Sequence, residues 1–221
     1  MLPIKICCIQ SIEEANLAIQ AGSTALGLVS EMPSGWGPIP LERIGAIAAH
    51  IPPLVTSVLL TSRQSAREVI AQQQVARCNA IQIVDEFPIA DYATLREQIP
   101  GVSILQAVHV FGPESIEKAK MIAPHVAGII LDTGSPHGET KVLGGTGKTH
   151  DWSISKAIVQ EVSCPIFLAG GLNEENVAHG LELVQPFGLD LCTGVRTDNA
   201  LDEKKLRSFL SVARQAHLAV A

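Results

Sequence analysis

The chain has 221 residues, 47% hydrophobic and 17% charged, with a formal net charge of −6. Such a length supports a sizeable core in one domain, and a net negative charge with no basic cluster beyond Glu203-Lys204-Lys205 argues against nucleic acid and anionic lipid as partners. No apolar run approaches the roughly 18 residues of a membrane-spanning helix, the N-terminus carries no export pattern, and the five cysteines lack paired C-x-x-C metal spacing, so a cytoplasmic protein with free thiols is expected.

From the N-terminus, Ile4 to Cys7 reads as a strand, and Ser11 with Glu14 forms a capping box for a helix ending near Gly22. Ala25 to Val29 is a second strand. The Gly/Pro-rich stretch Met32 to Pro40 is a loop within the domain, and Leu41 to His50 is a helix stopped by Ile51-Pro52-Pro53. The third strand is expected over Leu54 to Leu60, followed by a helix that Ser65 and Glu68 cap by the same S-x-x-E device. Ile81 to Val84 is the fourth strand, Asp91 to Gln98 a helix, and Val102 to Val110 the fifth strand. A helix from Pro113 or Glu114 to about Ala123 then leads to strand six, Gly128 to Leu131. A glycine-rich loop precedes a helix from Trp152 to about Val162, strand seven over Pro165 to Ala169, and a helix capped by Asn173. Gly188 to Leu191 is strand eight. The last helix begins near Asp202 and carries Leu206, Phe209, Leu210 and Val212 on one face.

Eight strands alternating with eight helices in 221 residues is about 28 residues per unit, which predicts right-handed βαβ crossovers closing into a single-domain (β/α)8 barrel spanning 1–221. A doubly wound sheet would place a phosphate loop after strand one, where Cys7-Cys8-Ile9-Gln10 contains no glycine.

In such a barrel the residues ending the strands converge on one face. Those ends present Cys7, Asp132, Gly170-Gly171 and Asp190-Leu191-Cys192-Thr193-Gly194. The glycine turns after strands six, seven and eight suit an anion, because backbone N–H groups can approach it closely, which nominates Gly145, Thr146, Gly170, Gly171, Thr193 and Gly194 as phosphate ligands. A Walker motif fails, since Val142 stands where glycine is required. Lys5 lies two residues before Cys7 on the same strand face, positioned to favour its thiolate. Because neighbours in a strand face opposite ways, at most one of Cys7 and Cys8 is expected to look into the site. Asp132 and Asp190 are the carboxylates at strand ends, His109 is read as a core residue, Trp152 as packing and Trp36 as a cover for an aromatic ligand.

Four stretches in order, Lys5-Ile6-Cys7, Leu131-Asp132-Thr133, Gly144 to Trp152 (GGTGKTHDW) and Ala169 to Val177 (AGGLNEENV), resemble phosphoribosylanthranilate isomerases over the whole chain. The resemblance implies an Amadori rearrangement of an aminoaldose phosphate in tryptophan biosynthesis, with Asp132 as general acid and Cys7 as general base. Lys5, Asp190 and the glycine turns would bind substrate or its phosphate. The implied partner is a small phosphorylated sugar, with no metal or other cofactor, and the chain acts as a monomer or homodimer. Some positions depart from the family pattern: Cys8 replaces a glycine, the Met32 to Pro38 loop lacks the arginine that grips the anthranilate carboxylate, Val84 replaces a histidine-glycine pair, and Cys192 and Thr193 stand where serines are usual. Two alternatives remain open on the sequence, a paralogue for another aminosugar phosphate and a non-catalytic barrel that binds a phosphorylated ligand.

Overall fold

The computed structural model describes residues 1–33, 35–134, 147 and 149–220. Eight parallel strands form a closed barrel: β1 (Ile4–Ile6), β2 (Ala25–Val29), β3 (Thr56–Thr61), β4 (Ala80–Ile83), β5 (Ser103–His109), β6 (Gly128–Asp132), β7 (Ile166–Leu168) and β8 (Gly188–Leu191). Each pairs with its sequence neighbour, and β1 closes the circle on β8 with Lys5 opposite Asp190 and Ile6 opposite Leu191. The helices α1 (Ile12–Ala21), α2 (Leu41–His50), α3 (Ala66–Ala76), α4 (Ile89–Gln98), α5 (Glu114–Ile122), α6 (Trp152–Glu161), α7 (Val177–Val184) and α8 (Glu203–Val220) connect or follow the strands. The (β/α)8 prediction therefore holds. Among the described residues no helix is long and apolar enough to cross a membrane.

Strand periodicity sorts the apolar residues into two layers. Ile4, Ile6, Leu26, Leu28, Leu59, Ile81 and Ile83 point outward and pack beneath the helices, together with Ala15, Ile44, Tyr92, Leu181 and Phe209. Cys7, Val29, Val58, Leu60, Ala80, Val84 and Ala107 point inward and fill the barrel. Fully burying one such Leu or Ile contributes about 1.5–3 kcal/mol, so the outer layer carries most of the hydrophobic stability.

Local signals set most boundaries. Ser11 Oγ accepts from Glu14 N–H (3.2 Å), half of the expected capping box, while Glu14 Oε2 accepts from the N–H of Gln10 (3.0 Å), one residue before the cap, rather than from that of Ser11. Ser65 Oγ likewise accepts from Glu68 N–H (3.4 Å). Three expectations shift. Leu54, placed at the start of strand three, is fully exposed with φ 75, in a turn that Pro52-Pro53 imposes before Thr56. Asn173 does not cap α7 directly; its Oδ1 accepts from the N–H groups of Glu175 and Asn176 in the preceding turn, and α7 starts at Val177. Strand β1 stops at Ile6, one residue short of Cys7.

After β8 the chain makes a short antiparallel ribbon, β9 (Arg196–Thr197) and β10 (Ala200–Leu201), turning at Asp198 and Asn199 with φ 48 and 64. Two consecutive positive φ values are the geometry of a type I′ turn, which suits Asp and Asn. This ribbon places Arg196 under the first strand.

Candidate active site

The carboxyl ends of the strands surround a cleft with a cavity of about 120 Å3, open at its mouth, in which Cys7, Asp132, Asp190, Gly170, Gly171 and Thr193 meet. Gly147, after β6, also lines it, and a Cβ added there would lie 3.8 Å from Thr193 Oγ1, so the loops after β6 and β8 adjoin. Gly144, Gly145 and Thr146 lie outside the described residues.

The floor is built by register. Lys5 and Asp190 face each other across β1 and β8, and Lys5 Nζ donates to both Asp190 oxygens at 2.8 Å. Both residues are buried, Lys5 at 2% exposure, and only Asp190 lines the cleft. Burial works against the lysine charge, but Asp190 and the nearby Cys7 sulfur hold its pKa above the usual lysine value. The amine is thus committed to Asp190, and the pair braces the floor rather than presenting a loose cation.

Asp132 ends β6 opposite His109. Its Oδ1 accepts from the Thr133 N–H (2.7 Å). Burial, reinforced by the nearby Asp190 charge, pushes its pKa up to about 7 against the opposing Thr133 N–H and Lys5. Cys7 moves the other way: a hydrogen bond from the Cys8 thiol, aided by Lys5, lowers its pKa despite burial. Gly27 on β2 leaves room for this sulfur, since a Cβ there would lie 2.9 Å from Cys7 Sγ. His109 stays a core residue, its Nε2 3.0 Å from Val84 O.

The expectation that Cys7 and Cys8 face opposite ways fails. Cys8 lies beyond the strand with φ 61, a left-handed conformation that turns its side chain into the same cleft. Arg196 holds this bend: its Nη2 donates to the carbonyls of Cys7 (3.2 Å) and Cys8 (2.6 Å), and its Nη1 pairs with Glu14 (2.9 Å). The guanidinium also sits 5.1 Å from the Trp36 ring centre, which fixes that indole at the cleft wall.

The glycines close one end of the cleft. Gly170 has φ 77, and a Cβ there would lie 2.4 Å from Thr133 Oγ1 and 3.0 Å from Thr133 N, so glycine alone lets the β7 turn approach the β6 end. Gly194 packs its α-carbon on the Leu172 carbonyl, where a Cβ would sit 2.1 Å away. It therefore locks the β8 turn to the β7 turn without lining the cleft itself. Behind them His150 bridges Thr133 Oγ1 (3.0 Å) and Ser155 Oγ (2.6 Å), and burial lowers its pKa to about 4, so it works as a neutral strut between β6 and α6. Trp152 packs on α7 at Gly180, as expected for a core residue.

Gln82 went unnoticed in the sequence. It is 3% exposed, lines the cleft from β4, and its buried Oε1 has no partner among the described residues. The available signal was positional: in Ala80-Ile81-Gln82-Ile83 the polar residue alternates onto the inward face.

Comparison with known proteins places this geometry. The family described as N-(5'-phosphoribosyl)anthranilate (PRA) isomerase matches residues 4–212. The N-(5'-phosphoribosyl)anthranilate isomerase 2 of Methanosarcina mazei is 33% identical over 213 residues, 96% of this chain and 93% of that protein. The Methanocella arvoryzae isomerase is 31% identical over 215 residues, covering 97% and 99%. Among solved structures, the Thermotoga maritima phosphoribosyl anthranilate isomerase superimposes with a TM-score of 0.84 at 28% identity, over 97% of this chain and 100% of that one. Another phosphoribosyl anthranilate isomerase, solved in complex with reduced 1-(o-carboxyphenylamino)-1-deoxyribulose 5-phosphate, gives 0.82 at 25% identity with the same coverage.

Proposed function

The chain belongs to the phosphoribosylanthranilate isomerase family, an aldose–ketose isomerase of tryptophan biosynthesis, and on that premise we propose that Asp132 and Cys7 are its acid and base. The observation that carries this reading is that Asp132 and Cys7 meet in one cleft with pKa values displaced in opposite directions. Asp132 is raised to about 7, so a neutral carboxyl is populated at neutral pH, while Cys7 is lowered toward thiolate. An acid whose pKa lies near the working pH transfers protons most effectively.

Asp132 protonates the ribose ring oxygen, the C1–O bond breaks, and the aryl nitrogen lone pair forms a protonated Schiff base at C1. The Cys7 thiolate then removes the C2 proton, and the C2–H electrons shift to give the enolamine. Tautomerisation of that enolamine delivers the aminoketose. No electrons leave the substrate, so no redox partner enters the balance. The phosphate lies against Gly147, Gly170, Gly171 and Thr193, where three positive-φ glycines bring the backbone close. The aryl group lies toward Trp36, Met32, Val29 and Leu60, and Gln82 Oε1 accepts from a substrate hydroxyl or N–H. The phosphorylated sugar derivative bound by a related isomerase supports a ligand of that class.

The test follows the loss of anthranilate-type fluorescence as purified protein consumes freshly made phosphoribosylanthranilate, beside Cys7→Ser and Asp132→Asn. Turnover abolished in both folded variants is expected; full turnover in either removes that residue from its role.

A further inference from the structure

Three sulfurs lie together at the seam where the barrel closes. Cys192 Sγ–H donates to Cys8 Sγ at 2.9 Å, and Cys8 Sγ–H donates to Cys7 Sγ at 3.9 Å. Their proximity has structural causes. Cys192 follows β8, the strand paired with β1, so it arrives beside the bend that carries Cys7 and Cys8. Cys8 is within reach of both only because of its left-handed backbone, a conformation costing a residue with a side chain about 1–3 kcal/mol. Arg196 and its partner Glu14 hold that conformation from below. Gly37 covers it from above, since a Cβ there would meet Cys8 Sγ at 3.1 Å. Cys8 is 8% exposed, and its proton is directed to sulfur.

We infer that Cys8 is a positioning residue for the isomerisation, its thiol donating to the Cys7 sulfur and holding it as the thiolate, with Cys192 fixing the orientation of Cys8. This rests on the reading of Cys7 as the base. The charged groups facing Cys7 explain why a thiol donor is needed. Lys5 on β1 is the nearest cation, but both oxygens of Asp190 on β8 bind it, so the pair presents little net field to the sulfur. Asp132 on β6 lines the same floor and adds no stabilisation to a thiolate. Arg196 spends its Nη donors on Glu14 and on the carbonyls of Cys7, Cys8 and Asn199. Cys8 is the side-chain donor in contact with the Cys7 sulfur. Its contacts with Cys192 and Cys7, together with burial, raise its own pKa well above the usual thiol value, so it keeps the proton it donates.

The experiment compares Cys8→Gly, Cys8→Ser and Cys192→Ala with the parent. Glycine accepts the φ of 61 without strain and removes the thiol; serine retains a donor. One readout is the pH profile of kcat/KM. The other needs no substrate: the pH dependence of iodoacetamide alkylation at Cys7, located by mass spectrometry. Cys8→Gly is expected to raise the Cys7 midpoint by about one pH unit, giving about tenfold lower kcat/KM below that midpoint and recovery at high pH. Cys8→Ser should fall between, and Cys192→Ala should shift the midpoint less than Cys8→Gly. An unmoved alkylation midpoint in folded Cys8→Gly overturns the inference, as does a loss of activity equal at every pH, which marks a purely structural role. If Cys7→Ser keeps full turnover, the base assignment fails on its own, and the alkylation midpoints still decide whether Cys8 tunes Cys7.

Discussion

Replacing Asp132 with asparagine should make the protein more stable at neutral and alkaline pH while removing its activity. The carboxyl is raised from its ordinary range to about 7 by burial. A folded-state pKa above the unfolded value means the group's stabilising contribution is complete below the ordinary carboxylate range and is lost as pH rises through about 7. Ionised Asp132 is therefore a cost to the fold. A rise of that size corresponds to about 4 kcal/mol, discounted to about 2–4 because the side chain is partly open to the cleft. Asparagine keeps the shape and can still accept from the Thr133 N–H, but it never ionises. For a barrel of this size, about 2–4 kcal/mol raises Tm by about 5–10 °C. The assay is thermal or urea unfolding of both proteins at steps between about pH 4 and pH 8. The stability difference should be near zero at the acid end, grow through the intermediate range and flatten above about 7. A difference independent of pH would refute the argument, because it would mean Asp132 is not held neutral by its surroundings. Turnover should fall by about 10²–10⁴, the usual contribution of a positioned acid.

Cys7→Ser should lose turnover by a similar factor yet keep its Kd for a substrate analogue, measured by calorimetry, because the role proposed for the thiolate is at the C2 proton and not at the phosphate. Gly170→Ala should raise KM for the phosphorylated substrate and cost about 1–3 kcal/mol in urea unfolding, since its Cβ would collide with Thr133 and its φ of 77 disfavours a side chain. Arg196→Ala should cost about 3–5 kcal/mol by stranding Glu14 and releasing the bend at Cys8; an unfolding midpoint equal to the parent's would remove Arg196 as a structural clamp. Gln82→Leu should leave stability unchanged or improved, because a buried acceptor without a partner is removed, and should weaken substrate binding about tenfold by loss of one hydrogen bond.

Residues whose role follows from strand-end position were legible in the sequence. Asp132 ends an apolar run and Gly170-Gly171 ends another, so the barrel rule alone brings them to one cleft, and the structure does so. Lys5 and Asp190 were placed on the right strands, but their mutual ion pair follows from the β1/β8 register, a closure that no local pattern encodes. Cys8 was misread for a related reason. Alternation predicts opposite faces only while the strand continues, and what ends β1 at Ile6 is Arg196, far along the chain, gripping the Cys7 and Cys8 carbonyls. Arg196 was invisible because a short ribbon turned by Asp198-Asn199 carries it, and those residues read merely as polar loop. Asn173 shows the same limit at smaller scale: a good capping residue was identified, but it serves the turn one step before the helix.

The proposed acid and base also show how a shared charge pair acts on two groups. Lys5 lowers both the Asp132 and the Cys7 pKa, and Asp190 raises both. The pair is not felt equally: Lys5 outweighs Asp190 at Cys7, and Asp190 outweighs Lys5 at Asp132, so the two groups are moved apart. The largest contributions nevertheless come from interactions that reach one group only. For Asp132 that interaction is burial at the end of β6, only partly offset by the Thr133 N–H. For Cys7 it is the Cys8 thiol, whose contribution exceeds the penalty of burying the sulfur. The opposite displacements that the proposed acid and base require are therefore set mainly by two local contacts, and the bend at Cys8 is as much a part of that arrangement as the two side chains themselves.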